Sequence, residues 1–143
     1  MTVASILRQK GRDVLTVQTR STMRDVVLLL SARGVGAVVV SNEAREVLGI
    51  LSERDIVRAL GREGVGILDA PVTQFMTAKV YTVAESATVG EVMAKMTDGR
   101  FRHAPVVTDG KLAGIVSIGD VVKRQIDELA QESESLKSYI AAA

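Results

Sequence analysis

The sequence is short of the residue types that covalent and metal chemistry require. It has no cysteine and one histidine among 143 residues. Disulfides and thiol nucleophiles are therefore excluded, and one histidine is too few for a zinc site. There is also no Gly-x-x-x-x-Gly-Lys-Ser/Thr loop, so the phosphate-binding loop of many nucleotide hydrolases and kinases is missing. We expect that the protein is not an enzyme.

Charge and hydropathy exclude two further classes of protein, those that bind nucleic acid and those that span a membrane. The 18 basic residues balance 17 acidic ones, and a net charge of +1 offers no concentrated basic face for nucleic acid. Wholly apolar runs, such as residues 26–30, are far too short to span a bilayer. The first ten residues lack the basic start and apolar stretch of a signal peptide. We predict a cytoplasmic protein that binds neither nucleic acid nor membrane.

What the sequence does contain is a repeat. The segment GILSERD at residues 49–55 returns as GIVSIGD at residues 114–120, and Thr16-Val17 likewise returns as Thr82-Val83. Two copies of one unit in a short chain indicate an internal two-fold, with two related clefts where the copies meet. We divide the chain into repeat 1, residues 1–66 with an N-terminal helix and a glycine-rich hinge, and repeat 2, residues 67–143 with a C-terminal helical tail.

Both repeats predict the same order of elements. Repeat 1 predicts a helix at 2–9, an extended piece at 14–17, a helix at 22–33, strands at 36–41 and 47–51, a helix at 53–60 and a hinge at 61–66. Repeat 2 predicts a short helix at 71–76, an extended piece at 80–83, a helix at 88–97, a hairpin of strands 103–108 and 111–116, and a long helix opened by Ser117. The charged end of that helix, with Leu129, Leu136 and Ile140 as its apolar points, is an exposed extension or a partner contact.

These elements predict an α/β (more strictly α+β) fold. It consists of two tandem β-α-β-β-α units packed sheet to sheet with pseudo-two-fold symmetry, because one unit alone cannot bury both faces of its sheet.

Each repeat places Ser-x-x-Asp where a strand leads into a helix, as Ser52/Asp55 and Ser117/Asp120. One interpretation is structural: the serine caps the helix, and the carboxylate favours its positive end. The other is ligand binding, because such a junction forms a crevice with free N–H groups in which a carboxylate can hold the two hydroxyls of a ribose. The residues alone leave both open.

The single histidine, His103, follows Arg102 at the start of a strand. It is either tied to a neighbouring carbonyl or, with Arg100 and Arg102, part of an anion site in the second cleft. We favour a phosphate contact. Repeat 1 has Gly34, Val35 and Gly36 at that point and compensates only in part, with Arg33 and with Arg54 inside its motif. We therefore expect the two clefts to differ in affinity.

Together these fragments resemble the cystathionine-β-synthase (CBS) domain pair. The resemblance runs from Val3 to Leu129 and rests on both motifs, on the segment RHAPVV at 102–107 and on the lead-ins at Thr16-Val17 and 81–83. It implies a free-standing sensor of adenine nucleotides, with the aspartates on ribose, the serines on ribose or phosphate, the lead-in backbone on adenine and rim cations on phosphate. The implied ligand-binding residues are Thr16, Ser52, Arg54, Asp55, Lys79, Val80, Thr82, Arg102, His103, Ser117 and Asp120.

The resemblance also sets expectations for ligand and partners. AMP is the first expectation, with ATP, ADP or NAD as alternatives, and no residue pattern supports the Mg²⁺ that could accompany the phosphates. We expect a homodimer that passes ligand occupancy to an unknown regulated protein by a change in repeat or dimer arrangement. The alternatives are a protein-interaction scaffold with non-functional clefts, or an NAD(H) or S-adenosylmethionine sensor.

Overall fold

The computed structural model describes residues 1–142 and contains the two repeats in the expected order. In repeat 1 the elements are α1 (Val3–Lys10), β1 (Thr16–Val17), α2 (Met23–Arg33), β2 (Ala37–Ser41), β3 (Val47–Ser52) and α3 (Glu53–Glu63). Two 3₁₀ turns, Val65–Asp69 and Val72–Gln74, lead into repeat 2. Its elements are α4 (Val89–Gly99), β4 (His103–Thr108), β5 (Lys111–Ser117) and α5 (Ile118–Ala142). The mixed α/β fold of two tandem units is confirmed.

Side-chain caps explain where the helices begin. Thr22 and Thr88 each accept a hydrogen bond from the backbone N–H three residues on, and the carboxylates of Asp25 and Glu91 accept one from the cap residue's own N–H. Burial of apolar residues along one side then holds each helix against its sheet, as with Met23, Val26 and Leu30 in α2. A capping box therefore fixes the first turn of each of these two helices.

The strands form two small sheets. In repeat 1 the order is β1-β2-β3, with β1 parallel and β3 antiparallel to β2. In repeat 2, β4 and β5 form an antiparallel hairpin in which His103 lies opposite Ser117. The predicted extended piece at 80–83 is wrong as a strand, because only Val83 pairs, in a parallel bridge to Val106. The residues before Val83 are therefore irregular.

Each sheet belongs to a separate aliphatic core that borrows a segment from outside its own repeat. Helix α1 contributes Val3, Ile6 and Leu7 to the core of repeat 2. The 3₁₀ segment between the repeats contributes Val72 to the core of repeat 1, and Met76 packs against it. The boundary predicted at 66/67 separates the repeats in sequence. In the structure, each core also includes a short segment from the other side of that boundary.

Glycines on β3 and β5 make the exchange possible. A Cβ at Gly49 would lie 2.9 Å from Met76 Cγ and 3.1 Å from the Thr77 carbonyl oxygen. A Cβ at Gly114 would lie 2.8 Å from Leu7 Cδ2. The separations from Met76 Cγ and Leu7 Cδ2 are shorter than real Cβ contacts, so a side chain at either glycine would force the borrowed segment to shift.

Two predictions about the connection between the repeats are wrong. The hinge predicted at 61–66 is largely helical, because α3 continues to Glu63 and the following turn buries Ile67 against the core of repeat 1. The short α-helix predicted at 71–76 is a 3₁₀ turn of three residues. Burial of Ile67 and Val72 ties this glycine-rich stretch down, and so it does not act as a free linker.

The far end of α5 lies in solvent. Residues 129–142 are exposed throughout, although the helix continues to Ala142. Among residues 1–142, no helix is both long and apolar enough to cross a membrane.

We predict that Gly49→Val destabilises the protein by about 1–3 kcal/mol, because the new side chain would overpack against Met76 and the Thr77 carbonyl. Gly61→Ala is the control within α3, where a Cβ meets nothing within 4 Å. It should raise stability by roughly 0.5–1 kcal/mol, since alanine is the better helix former. Urea unfolding measures both, and a Gly49→Val protein as stable as wild type would contradict the close approach.

Candidate functional site

The main cavity lies between the repeats and has a volume of about 500 Å³. Repeat 1 supplies the start of β2, the end of β3 and the first turns of α3. Repeat 2 supplies the irregular lead-in and the loop before β4. The lining residues are Gly36, Ile50, Ser52, Glu53, Arg54, Asp55, Arg58, Thr77, Lys79, Val80, Tyr81, Gly99, Arg100, Phe101, Arg102 and His103.

The motif of repeat 1 forms one end of this cavity. Asp55 Oδ2 accepts hydrogen bonds from the backbone N–H of Ser52 at 2.9 Å and from its hydroxyl at 3.0 Å. The ion pairs formed within residues 1–142 do not include Asp55. The carboxylate thus caps α3 through one oxygen, while its other oxygen, Oδ1, takes part in no hydrogen bond between described residues. The structural and the ligand-binding interpretations of the motif are compatible.

Cations outnumber carboxylates around the cavity. Its lining includes Arg54, Arg58, Lys79, Arg100 and Arg102, against Glu53 and Asp55. Arg54 Nη1 donates to the Arg100 carbonyl at 3.3 Å, so the rims contributed by the two repeats are in contact. An excess of guanidinium and ammonium groups in a concave site suits a phosphate-bearing ligand.

Arg100, Arg102 and His103, which the sequence analysis assigned to the second cleft, line the cavity of Asp55. His103 also lies opposite Ser117 of the second motif, and the charges of Lys10 and Asp120 both act on the pKa of its imidazole. The start of β4 lies beside the start of β2, so that a Cβ at Gly36 would be 3.4 Å from His103 Cε1. Each motif therefore faces loops of the other repeat, and the basic loop of repeat 2 serves the motif of repeat 1.

His103 lines the same cavity and is half-buried. Burial lowers the pKa of its imidazole below the usual 6.5, the carboxylates of Glu53 and Asp120 oppose that effect, and Lys10 adds to it. The neutral form is therefore favoured near neutral pH, and in that form the imidazole can donate one hydrogen bond to an anion. Permanent charge on the rim comes from the guanidinium groups.

The lead-in segment has a free backbone. Thr77 and Ile50 exchange two hydrogen bonds, of 2.9 and 3.0 Å, and Val83 is bonded to both Pro105 and Val107. Between these anchors, the N–H and C=O groups of residues 79–82 take part in no backbone–backbone hydrogen bond within the described chain. Lys79 and Val80 line the cavity as predicted.

Sequence reasoning missed the aromatic side of the cavity. Tyr81 and Phe101 both line it, and their ring centroids are 5.3 Å apart. A chain with 3% aromatic residues places two of them here, which offers a flat apolar surface to a planar ring. That scarcity was a usable signal, because Tyr81 lies within the stretch 79–82 and Phe101 lies between Arg100 and Arg102, which had already been singled out.

The motif of repeat 2 is occupied by a side chain. Lys10 Nζ donates to Asp120 Oδ2 at 2.7 Å and to the carbonyl of Ile115 at 3.0 Å. Burial would raise the pKa of Asp120, but the Lys10 ammonium and the hydrogen bonds from Ser117 outweigh it and lower that pKa. The Asp120 carboxylate already has a cationic partner, unlike that of Asp55.

The remaining predicted residues lie outside the main cavity. Thr16 is exposed on β1 opposite Val39, and Thr82 is exposed beside Val83. Ser117 and Asp120 lie at the other strand–helix junction, where Ser117 N–H donates to Asp120 Oδ2 at 2.8 Å. Within residues 1–142, no group of three or more His, Asp or Glu side chains is placed to hold a metal ion.

Comparison with known proteins gives one consistent family. The CBS domain model matches residues 3–62 and 72–127. The CBS domain-containing protein CBSX3, mitochondrial, of Arabidopsis thaliana is 35% identical over 97% of this chain and 71% of its own length. The crystal structure of the CBS-domain containing protein ATU1752 from Agrobacterium tumefaciens is 43% identical, with a TM-score of 0.84 over 87% of this chain and 99% of that one.

A third similar structure was determined with a ligand. The CBS domain protein PAE2072 from Pyrobaculum aerophilum, complexed with AMP, is 28% identical to this chain. Its TM-score is 0.75, over 84% of this chain and 89% of that one.

We predict that His103 makes the protein less stable as the pH falls below neutral. Because burial lowers the folded-state pKa of His103, the unfolded chain takes up its proton first, and stability is lost as the pH falls from about 6.5 to the folded-state pKa. His103→Gln should flatten this part of the profile. Urea unfolding between pH 5 and pH 8 measures it, and parallel profiles of variant and wild type would show that His103 is not held neutral.

Proposed function

The chain belongs to the CBS domain family, and on that premise we propose that it is a regulatory adenine-nucleotide sensor whose ligand binds in the cavity of Asp55. The observation that carries the proposal is the composition of this one cavity. It joins a carboxylate with no ion-pair partner, a backbone segment with unused hydrogen-bonding groups and five cationic side chains. These match the ribose, base and phosphate of a nucleotide.

The ribose is assigned to Asp55. Its carboxylate is oriented by Ser52 and by the start of α3, and a second oxygen remains for ligand hydroxyls. A carboxylate accepting from both hydroxyls of a ribose makes two charge-assisted hydrogen bonds. Ser52 keeps the aspartate in place whether or not a ligand is bound, so the site is preorganised.

The base is assigned to the lead-in. Adenine presents a donor and an acceptor side by side on one edge, and the backbone of Val80 can meet both. Tyr81 and Phe101 border the same space and offer apolar surface to the ring. Recognition by a backbone explains why the lead-in residues of the two repeats need not share side chains.

The phosphate is assigned to the rim of Arg100, Arg102 and Lys79, with His103 as a neutral donor. AMP is the proposed ligand because Asp55 and the rim cations line the same cavity, and because the related Pyrobaculum protein is complexed with AMP. Longer phosphate chains, as in ADP, ATP or NAD, would extend along the same cations.

The second motif is proposed as the weaker site. A ribose at Asp120 would have to displace the Lys10 ammonium, which bonds both Asp120 and the Ile115 carbonyl. The rim that serves the first cavity is less basic there, since Val35 and Gly36 stand where repeat 2 has Arg102 and His103, and only Arg33 corresponds to a rim cation, Arg100. We therefore expect one ligand per chain at moderate nucleotide concentration.

The signal is proposed to be a change in how the repeats, or two copies of the chain, are arranged. A ligand that touches both repeats favours the arrangement in which they close upon it.

The dimer remains a prediction. It is supported by Val57 and Val122, which occupy equivalent positions after the two motifs and are 68% and 38% exposed. Their neighbours Ile56 and Val121 are buried in their own cores. Cytoplasmic location and a regulated partner protein are likewise predictions.

We predict that Asp55→Asn weakens AMP binding at least about tenfold, because two charge-assisted hydrogen bonds of roughly 1.5 kcal/mol or more each are lost or weakened. Asparagine preserves the shape of the side chain, and its amide oxygen can still accept the hydrogen bond from the Ser52 N–H at the start of α3. Asp120→Asn is the matched control and should change affinity much less. Calorimetry measures the AMP affinity of both variants. Equal losses of affinity, or a loss only in Asp120→Asn, would contradict the assignment of the ligand to the motif of Asp55.

We also predict that Arg102→Ala narrows the preference for AMP over adenosine, because it removes a cation from the phosphate rim while leaving Asp55 and the lead-in intact. Arg62→Ala, on the exposed end of α3 and outside the cavity, is the control. Affinities for the two ligands are compared at fixed salt. An undiminished preference would place the phosphate elsewhere.

A further inference from the structure

The second half of α5 lies beyond the body of the molecule. Close to its start, Val121 is buried, Arg124 Nη2 donates to the Ser5 carbonyl at 3.1 Å, and Glu128 pairs with the N-terminal ammonium at 3.3 Å. From residue 129 to residue 142 every residue is exposed. A free helix of that length is only marginally stable in water, so this segment needs a packing partner to be firmly helical.

Five of the six large exposed apolar residues of α5 follow a heptad pattern, and Tyr139 lies off it. We call the following set the seam: Val122, Ile126, Leu129, Ser133, Leu136 and Ile140. Successive members are four and three residues apart in alternation, which is the spacing of the a and d positions of a coiled coil. The four large members from Ile126 onward are between 54% and 65% exposed, far more than core residues of the same types.

The seam is distinct from the side of α5 that meets the body. Val121, Arg124 and Glu128 form a second stripe at helical spacing, and this stripe makes the contacts with α1 and the N-terminus. With about 100° of rotation per residue, the two stripes are separated by roughly a third of a turn. The seam therefore remains available while α5 is docked on its own chain.

We propose that the seam pairs with the seam of a second copy of this chain in a parallel two-stranded coiled coil. Ile126 and Ile140 occupy a positions, and Leu129 and Leu136 occupy d positions. Isoleucine at a with leucine at d is the combination that favours parallel dimers. Ser133 is the polar a position in the middle, and such a residue fixes the register.

Charge complementarity selects the parallel orientation. In that orientation Glu132, at g, lies beside Lys137, at e, of the second copy, and symmetry creates this ion pair twice. An antiparallel pairing that aligned the whole seam would instead bring Glu132 against Glu132 and Lys123 against Lys137. The attractive arrangement places repeat 2 of one copy beside repeat 2 of the other.

Single-cysteine crosslinking tests the pairing directly, because the natural chain has no cysteine. Ser133→Cys places a thiol on the seam, where the two copies' sulfur atoms come within disulfide distance only in the parallel register. Ser135→Cys and Ser138→Cys are matched controls on the same helix, away from the seam. Under mild oxidation we expect at least about tenfold more disulfide dimer from Ser133→Cys. Equal yields from all three, or none from Ser133→Cys, would overturn the proposal.

Analytical sedimentation of the full chain provides a second test, because it measures the dissociation constant of the dimer. The double variant Leu136→Lys with Ile140→Lys should raise the dimer dissociation constant at least about tenfold. The control Gln131→Lys with Ser138→Lys adds the same charge off the seam and should leave that constant nearly unchanged.

The ion pair is tested by charge reversal. Glu132→Lys should weaken the dimer, and adding Lys137→Glu should restore the dimer. A monomeric wild type, or a dimer indifferent to the seam variants, would overturn the proposal. No nucleotide is present in these measurements, so their failure would leave the proposed ligand site untouched.

Discussion

The architecture depends on the close contact between each repeat's last strand and a segment that precedes the other repeat's sheet. Met76 lies against Gly49 of β3, and Leu7 lies against Gly114 of β5. These contacts tie the two cores together, and they also lead the chain from Thr77 across the end of β3 into the lead-in at 79–82. A side chain at Gly49 would press on Met76 and on the Thr77 carbonyl, from which the lead-in continues toward the cavity.

The Ser-x-x-Asp motif shows how one set of atoms serves folding and binding together. Ser52 and Asp55 cap α3 in the same way that Thr22 and Asp25 cap α2. The difference between these two pairs lies in their surroundings, because Arg100 and Arg102 of repeat 2 line the cavity of Asp55. At Asp120 the same motif meets Lys10 instead. Two equal motifs therefore create unequal sites, and the inequality arises from the residues that the opposite repeat supplies.

Local signals predicted most of the fold but not how the loops are shared. Capping pairs such as Thr22/Asp25 and the turn at Asp109-Gly110 act within a few residues, so the helices and the hairpin could be predicted from the sequence. The location of Arg102 and His103 could not, because proximity along the chain suggested the motif of their own repeat and only the packed arrangement brings them to Asp55. The Lys10–Asp120 pair spans 110 residues and has no local signal. The supposed hinge failed because glycine count was given more weight than the buried Ile67.

The central claim is that one nucleotide occupies the cavity between the repeats, with its ribose on Asp55 and its phosphate on the basic rim. A crystal structure of the protein with AMP tests this most directly. We expect electron density for one AMP per chain, with both ribose hydroxyls within hydrogen-bond distance of Asp55 and the Lys10–Asp120 pair intact. Density at Ser117 and Asp120 with the cavity of Asp55 empty, or no bound nucleotide at saturating AMP, would contradict it.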